Sequence, residues 1–324
     1  MEVQNSKDHE RIKLLVKVAK MYYEQGMIQS EIANEIGVSR PYISRLLDDA
    51  QMEGIVTTTV TDPLGKESIY ALKLKQYYHL ENVIILPKVT EQNPLWQAGD
   101  AAARYLRSIF QNGDIFALSW GKTTYECAKS FSYCYELKDF TVVQISGSVE
   151  YIDNNIYVSE IVRLFTEKTH GSGYTIPFPT ILDHIETKKA IEREHTFQNG
   201  LQFAEKANIA LLVPGRFSKE NYLYTAGYFS ENEYEQLKSL DAVGDICSHV
   251  INSKGEICDT NLDERTVALP LDKIKKINTR IGLAVGSEKA KVMLALLEGK
   301  IINTLIADVE LIDEIRKLMP KVFE

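Results

Sequence analysis

At 324 residues, 44% hydrophobic and 25% charged, the chain is long enough for two or three domains and has the composition of an ordinary globular protein. Its net charge of −8 excludes a protein that coats nucleic acid or an anionic membrane by bulk attraction. Four scattered cysteines without a C-x-x-C, and six histidines without an H-x-x-x-H, exclude a disulfide or zinc framework, so free thiols are expected and no metal or cofactor. The opening M-E-V-Q-N-S-K-D-H-E is too polar for a signal peptide, and no apolar run reaches membrane-spanning length, so a soluble cytoplasmic protein without a membrane partner is expected.

Residues 8–25 alternate apolar and charged types at helical period, with Ile12, Leu15, Val16, Ala19 and Tyr22 or Tyr23 as one stripe. The stretch 29–47 then reads as a helix-turn-helix. Ile32, Ala33 and Ile36 give a short helix its apolar face, and Gly37 stands where that helix must stop. Ser39 is placed to N-cap a second helix with Pro41 in its first turn. Ile43, Leu46 and Leu47 turn to the core, which leaves Ser39, Arg40, Pro41, Tyr42, Ser44 and Arg45 for DNA. Arginines in a major groove offer donors to guanine edges and phosphates, and hydroxyls fix position. An ordinary pair of amphipathic helices would share the apolar spacing but not the two outward arginines. The first sixty residues hold slightly more acids than bases, so the DNA contact must be local, with Lys13 or Lys17 as further cations.

Glu53-Gly54 ends the second helix, and residues 55–60 are β-branched as a short strand or wing would be. Asp62-Pro63-Leu64-Gly65 is a turn and the expected boundary between a DNA-binding domain, 1–62, and an effector-binding and oligomerisation domain, 63–324. A helix over 68–78 leads into the second domain. Short apolar runs at 83–86, 115–119, 142–145, 209–213, 281–285 and 304–307 predict strands buried on both faces. Helical patterns at 97–110, 124–131, 157–167, 201–206 and 290–297 fall between them. That alternation predicts a doubly wound, mainly parallel α/β sheet. Residues 244–257 differ, because Asn252-Ser253-Lys254-Gly255 can turn an antiparallel hairpin.

In such a sheet, ligands bind beyond the carboxyl ends of the strands. The loop Ser119-Trp120-Gly121-Lys122-Thr123-Thr124 offers close backbone approach at Gly121, a charge at Lys122 and two hydroxyls at Thr123 and Thr124, which suit a phosphate. Threonine is also a good N-cap, so a plain capped turn would look similar, and the spacing is not that of a P-loop. Gly286 and Lys289 repeat the pattern in Gly286-Ser287-Glu288-Lys289. Ser146 and Gly147 add a hydroxyl and a flexible backbone, and Asp245 is placed to accept sugar hydroxyls. Asp263 and Arg265 are candidates for the same role or for a mutual salt bridge. No G-x-S-x-G occurs and no histidine adjoins a candidate serine or cysteine, so no catalytic residue is assigned.

With both halves read, the chain resembles the SorC family of bacterial sugar-responsive transcriptional regulators, grouped near the deoxyribonucleoside regulators of Gram-positive bacteria. The resemblance spans nearly the whole length. It rests on Y-Y-x-x-G-x-x-Q-x-E-I-A from Tyr22, S-R-P-Y-I-S-R-L-L from Ser39 and N-G-D-I-F-A-L-S-W-G-K-T at 112–123. V-V-Q-I-S-G-S at 142–148, K-A-N-I-A-L-L at 206–212, V-G-D-I-C at 243–247, D-E-R-T at 263–266 and G-S-x-K at 286–289 extend it. The resemblance implies a C-terminal fold similar to ribose-5-phosphate isomerase and glucosamine-6-phosphate deaminase, with a phosphorylated sugar in place of substrate. It places the phosphate at the loop from Gly121 to Thr124 and at Lys289. Close relatives can carry lysine where this chain has Ser146, and serine forms no Schiff base, so reversible capture is expected. A single helix-turn-helix reads only a few base pairs, so a homodimer or homotetramer on operator DNA is expected. An active sugar-phosphate enzyme fused to a DNA-binding domain, or a C-terminal half that only oligomerises, are the alternatives.

Overall fold

Apolar residues at three- and four-residue spacing fold the start of the chain into helices α1 (Glu2–Ala19), α2 (Gln29–Ile36) and α3 (Arg40–Met52). The computed structural model describes residues 2–56, 65–88, 93–148 and 158–324, and divides the chain into two units, Met1–Asp62 and Pro63–Glu324. In the first unit Leu15, Val18, Ala19 and Met21 pack on Ile32, Ala33, Ile43, Leu46, Leu47 and Ala50. The stripe on α1 therefore differs from the expected one: Ile12 is 45% exposed, and a π-turn over Lys20–Glu24 brings Met21 inward. Gly37 ends α2 at φ 78°, a left-handed geometry that glycine enters without strain. Ser39 has the extended N-cap backbone, yet its side chain makes no capping bond. Ile55 and Val56 pack on this core, while residues 57–60 of the expected wing, and 62–64 of the expected boundary turn, lie outside the described residues.

The second unit begins with α4 (Lys66–Tyr78), then alternates β1 (Asn82–Leu86), α5 (Pro94–Ile109), β2 (Ile115–Leu118), α6 (Lys122–Ser130), β3 (Thr141–Gln144), α7 (Val158–Thr169) and β4 (Ser172–Tyr174). It continues through α8 (Ile185–Ile191), α9 (His195–Glu205), β5 (Ile209–Leu212), β6 (Gly215–Arg216), α10 (Tyr222–Thr225), α11 (Glu231–Ser239), β7 (Ala242–Ile246) and β8 (His249–Asn252). It closes with α12 (Thr260–Arg265), α13 (Leu271–Ile274), β9 (Thr279–Ala284), α14 (Ala290–Glu298), β10 (Thr304–Asp308) and α15 (Val309–Leu318). Seven strands form a parallel sheet in the order β1-β10-β9-β5-β2-β3-β4.

Side chains alternate across that sheet with period two. Phe116, Leu118, Val142, Ile209, Leu211, Ile281, Leu283 and Ile306 face α5, α6 and α7. Ala117, Val143, Ala210, Leu212, Leu305 and Ala307 face α4, α9, α14 and α15. Both faces are covered, which is why the strand sequences are continuously apolar.

A second sheet, β6-β7-β8, is antiparallel. Strands β7 and β8 turn at Cys247-Ser248, a hairpin beyond the expected one. Cys247 and Ser248 both have positive φ, 50° and 70°, as primed two-residue hairpin turns require. Asn252-Ser253-Lys254-Gly255 turns the expected antiparallel hairpin, with Ile251 bridged to Ile257 and the Asn252 N–H on the Glu256 carbonyl. Among the described residues no helix is long and apolar enough to cross a membrane.

Helices α5 and α6 meet at Gly99, where a Cβ would lie 2.6 Å from the backbone of Glu126 and Cys127. A Gly99→Val substitution must part the two helices and is expected to cost about 1–3 kcal/mol. Thermal unfolding of the full chain measures this. An unchanged melting temperature would contradict the close packing.

Candidate functional site

The first unit presents one face of α3. Ile43, Leu46 and Leu47 are buried, so Ser39, Arg40, Pro41, Tyr42 and Arg45 are exposed and Ser44 is half-buried. Pro41, Ser44 and Arg45, and likewise Tyr42 and Arg45, stand three or four residues apart and share a helix face. Neither Arg40 nor Arg45 has an ionic partner among the described residues. Farther along α3, Arg11 forms ion pairs with Asp49, at 3.0 Å, and with Glu53.

The second unit holds a cavity of about 990 Å³ beyond the carboxyl ends of β2, β5 and β9. From β2 the chain runs on to β3 and β4 on one side, and from β5 it runs to β9 and β10 on the other. The carboxyl ends of β2 and β5 thus form a topological switch point, where an open α/β sheet leaves a crevice. Ser119 pins it: its Oγ donates to the Leu211 carbonyl at 3.2 Å and accepts from the Val213 N–H at 2.8 Å.

Gly121, Lys122 and Thr123 line one side. Gly121 has φ 153° and ψ 165°, a conformation open essentially to glycine alone, and it starts α6 with the helix N-terminus toward the cavity. Thr124 lies just beneath, fully buried, and its Oγ1 has no hydrogen-bond partner among the described residues.

Lys289 and Glu288 line the opposite side, on the turn between β9 and α14. Asp308, at the end of β10, fixes that turn. Its carboxylate accepts from the Gly286 N–H at 3.1 Å and from the Leu311 N–H at 3.0 Å, so one side chain holds the loop and caps α15. The Lys289 ammonium donates to the Pro214 carbonyl.

Asp245 completes the floor, accepting from Asn221 Nδ2 at 3.0 Å. Burial pushes its carboxyl above the usual range, against the Asn221 bond and the charge of Lys289. Burial pushes the Lys289 ammonium below its usual range, against the charge of Asp245. Each group thus helps the other toward its ionised form, with Asn221 adding to the effect on Asp245 and Glu288 to that on Lys289.

Other expected residues are placed elsewhere. Ser146 is fully buried and bridges to Ala268, and the Gly147 N–H donates to the Val267 carbonyl at 2.6 Å. Arg265 donates to Glu233 at 2.7 Å and to the Leu182 carbonyl at 3.2 Å, outside the cavity lining. Asp263 pairs with His249, so the alternative Asp263–Arg265 bridge does not form. Gly286 sits in the loop behind the lining. Sequence reasoning missed the fourth wall, Val213 to Ala226, which contributes Arg216, Asn221 and Tyr222. Its signal was Val213-Pro214-Gly215-Arg216, another glycine loop directly after a buried strand.

Residues 63–316 match the family model described as "Putative sugar-binding domain". The deoxyribonucleoside regulator of Bacillus subtilis is 31% identical over 93% of this chain and 96% of its own. The chain belongs to the SorC family of sugar-binding transcriptional regulators. The crystal structure of the full-length sorbitol operon regulator SorC from Klebsiella pneumoniae superposes with a TM-score of 0.75 at 26% identity, covering 97% of this chain and 99% of that one. A transcriptional regulator LsrR from Enterobacter is 27% identical over 91% and 90% of the two chains. This SorC-family chain is a carbohydrate-related transcriptional regulator.

If α3 reads DNA, Arg40→Ala or Arg45→Ala weakens binding to an operator selected from random duplexes by about tenfold, the loss of one good contact. A phosphate-contacting arginine would also lower the salt slope by about one. Fluorescence anisotropy at several salt concentrations measures both, and unaltered affinity in both variants would remove α3 from the interface.

Proposed function

We propose that the effector is a small phosphorylated sugar held reversibly in the cavity at the β2–β5 switch point, and that it tunes operator binding through α3. The observation that carries this reading is convergence. The N-terminal end of α6 with Gly121, Lys122 and Thr123, and the Lys289 ammonium, come from opposite loops to one cavity. A helix N-terminus and a lysine together suit a phosphate. Asp245, oriented by Asn221, is an acceptor for sugar hydroxyls, and the half-buried Trp120 beside Tyr222 supplies an apolar wall for a sugar face. Ser146 and Gly147 pair with the Val267-Ala268 segment, and Arg265 serves the packing of α11. Where relatives can carry an amine, Ser146 has a hydroxyl, so capture is non-covalent.

A single recognition helix reads only a few base pairs, so a dimer or tetramer on a pseudo-palindrome follows, in the cytoplasm where operator DNA is found. Effector and operator then influence each other by linkage, each favouring one arrangement of the oligomer.

One observation favours a second reading. Asp245 and Lys289 are shifted in opposite senses within one cavity, as an acid–base pair would be. Turnover of pentose or hexosamine phosphates by the purified chain would replace the regulator-only reading.

The test is thermal melting of the full chain against paired free and phosphorylated sugars, since a ligand selective for the folded state raises the melting point. A rise with a sugar phosphate and none with its free sugar is expected, and Lys289→Met should abolish it. A rise with free sugars alone would overturn the phosphate assignment.

A further inference from the structure

Burial fixes one side of α3 and leaves a narrow exposed face on the other. Ile43, Leu46, Leu47 and Ala50 are buried. On the opposite side Pro41 and Arg45, Ser44 and Asp48, and Arg45 and Asp48 stand three or four residues apart, so the four share one stripe. Asp48 is exposed there, one turn beyond Arg45.

Three carboxylates belong to α3 or its C-cap, Asp48, Asp49 and Glu53, and two of them meet the same cation. Arg11 of α1 spreads its guanidinium between Asp49, at 3.0 Å, and Glu53. These two acids are four residues apart and lie on the flank toward α1. The Asp48 side chain has no hydrogen-bond or ionic partner among the described residues. The one unpaired acid of this helix therefore stands on the same stripe as Arg45.

An exposed acid on a helix that meets DNA is repelled by phosphates unless it finds a donor. In the major groove cytosine N4 and adenine N6 are the donors, while guanine O6 and thymine O4 occupy the same places as acceptors. A carboxylate only accepts. Asp48 therefore separates amino-bearing from oxo-bearing bases, the converse of Arg45, whose donors suit guanine. Three residues of helix rise about 4.5 Å, between one and two base-pair steps of roughly 3.4 Å.

We propose that Asp48 is a specificity-determining residue of α3. It accepts from a cytosine or adenine amino group one or two base pairs from the contact of Arg45, and Arg11 silences Asp49 and Glu53 so that Asp48 acts alone. This rests on the reading of α3 as the DNA-contacting helix and deepens it. Asp48 favours the amino edge and, through repulsion from phosphates, weakens binding to duplexes that lack it.

The test is selection of duplexes from a random pool by the full chain, then fluorescence anisotropy on the enriched sequence and its single-base variants. Asp48 is exposed and outside the core of the first unit, so replacing it leaves that core intact. In the wild type one position should favour cytosine or adenine about tenfold over guanine or thymine. Asp48→Ala should erase that preference, keep the others, and bind non-matching duplexes at least as tightly as before. Asp48→Asn should move the preference toward adenine, whose N6 and N7 an amide meets with two bonds. Asp49→Asn, whose carboxylate Arg11 already holds, should alter no preference.

If Asp48→Ala leaves the preference at every position unchanged while Arg45→Ala still weakens binding, the inference is overturned and α3 stays the DNA-contacting helix. A preference that moves in Asp49→Asn would overturn the part given to Arg11. Arg45→Ala and Asp48→Ala both without effect, or a full chain that enriches no sequence, would overturn the α3 reading as well.

Discussion

The pairing of β2 with β5 is the contact on which the ligand cavity depends. In a parallel sheet every strand ends at the same edge, so loops from neighbouring strands crowd together unless the chain diverges. Here it diverges between these two strands, and the space left is the cavity. A gap at a seam is a weak point, and Ser119 closes it by bonding the Leu211 carbonyl and the Val213 N–H across it. The buried apolar faces beneath keep the strands from sliding: Phe116 and Leu118 on one side of β2, Ala117 on the other. The alanines on that second face, Ala117, Ala210 and Ala307, leave room for α9, α14 and α15 to approach closely. The fold thus spends its rigidity below the cavity and leaves its polar groups above.

Those polar groups are held by interactions that do not consume them. Asp308 fixes the Gly286 loop from outside the cavity, so Lys289 is positioned by a neighbour that never meets a ligand. Asn221 uses one amide nitrogen for both Asp245 and the Arg216 carbonyl, and its oxygen caps α10 through Leu223. An unpaired charge buried in this position would cost several kcal/mol. Asp245 and Lys289 offset that cost for each other, at the price of shifted proton affinities. Lys289 donates to a carbonyl and lies near the carboxylates of Asp245 and Glu288. An anion of several oxygens offers it better partners.

Much of this was legible in the sequence because burial on both faces leaves a plain trace. Six continuous apolar runs marked six of the seven strands of the parallel sheet, and Gly37, Pro41 and Glu53-Gly54 marked the ends of α2 and α3. β4 was illegible because Ser172-Gly173-Tyr174 is an edge strand with no apolar run. The hairpin at Asn252–Gly255 was legible because its composition favours positive φ, whereas the turn at Cys247-Ser248 was not, since Cys247 carries no such preference. In the cavity, loop chemistry pointed to Gly121, Lys122, Thr123, Asp245 and Lys289, which the fold does bring together. It could not separate them from Arg265, whose partners Glu233 and Leu182 lie 32 and 83 residues away in sequence. Long-range pairing of that kind leaves no periodic signal.

The acidic balance of the chain is compatible with DNA binding because charge on α3 is segregated. Arg40 and Arg45 occupy its first half, while Asp48, Asp49 and Glu53 lie at or beyond its second. At about 1.5 Å per residue, Arg40 stands roughly 20 Å from Glu53, more than two screening lengths at physiological salt. Asp49 lies only one turn from Arg45 and would otherwise draw its charge, but Arg11 already pairs with Asp49 and Glu53. The first turn of α3 adds the positive end of its own dipole, and Ser39 leaves that end open by making no capping bond. The first half of this helix therefore carries two exposed arginines that pair with no carboxylate among the described residues, whatever the net charge of −8.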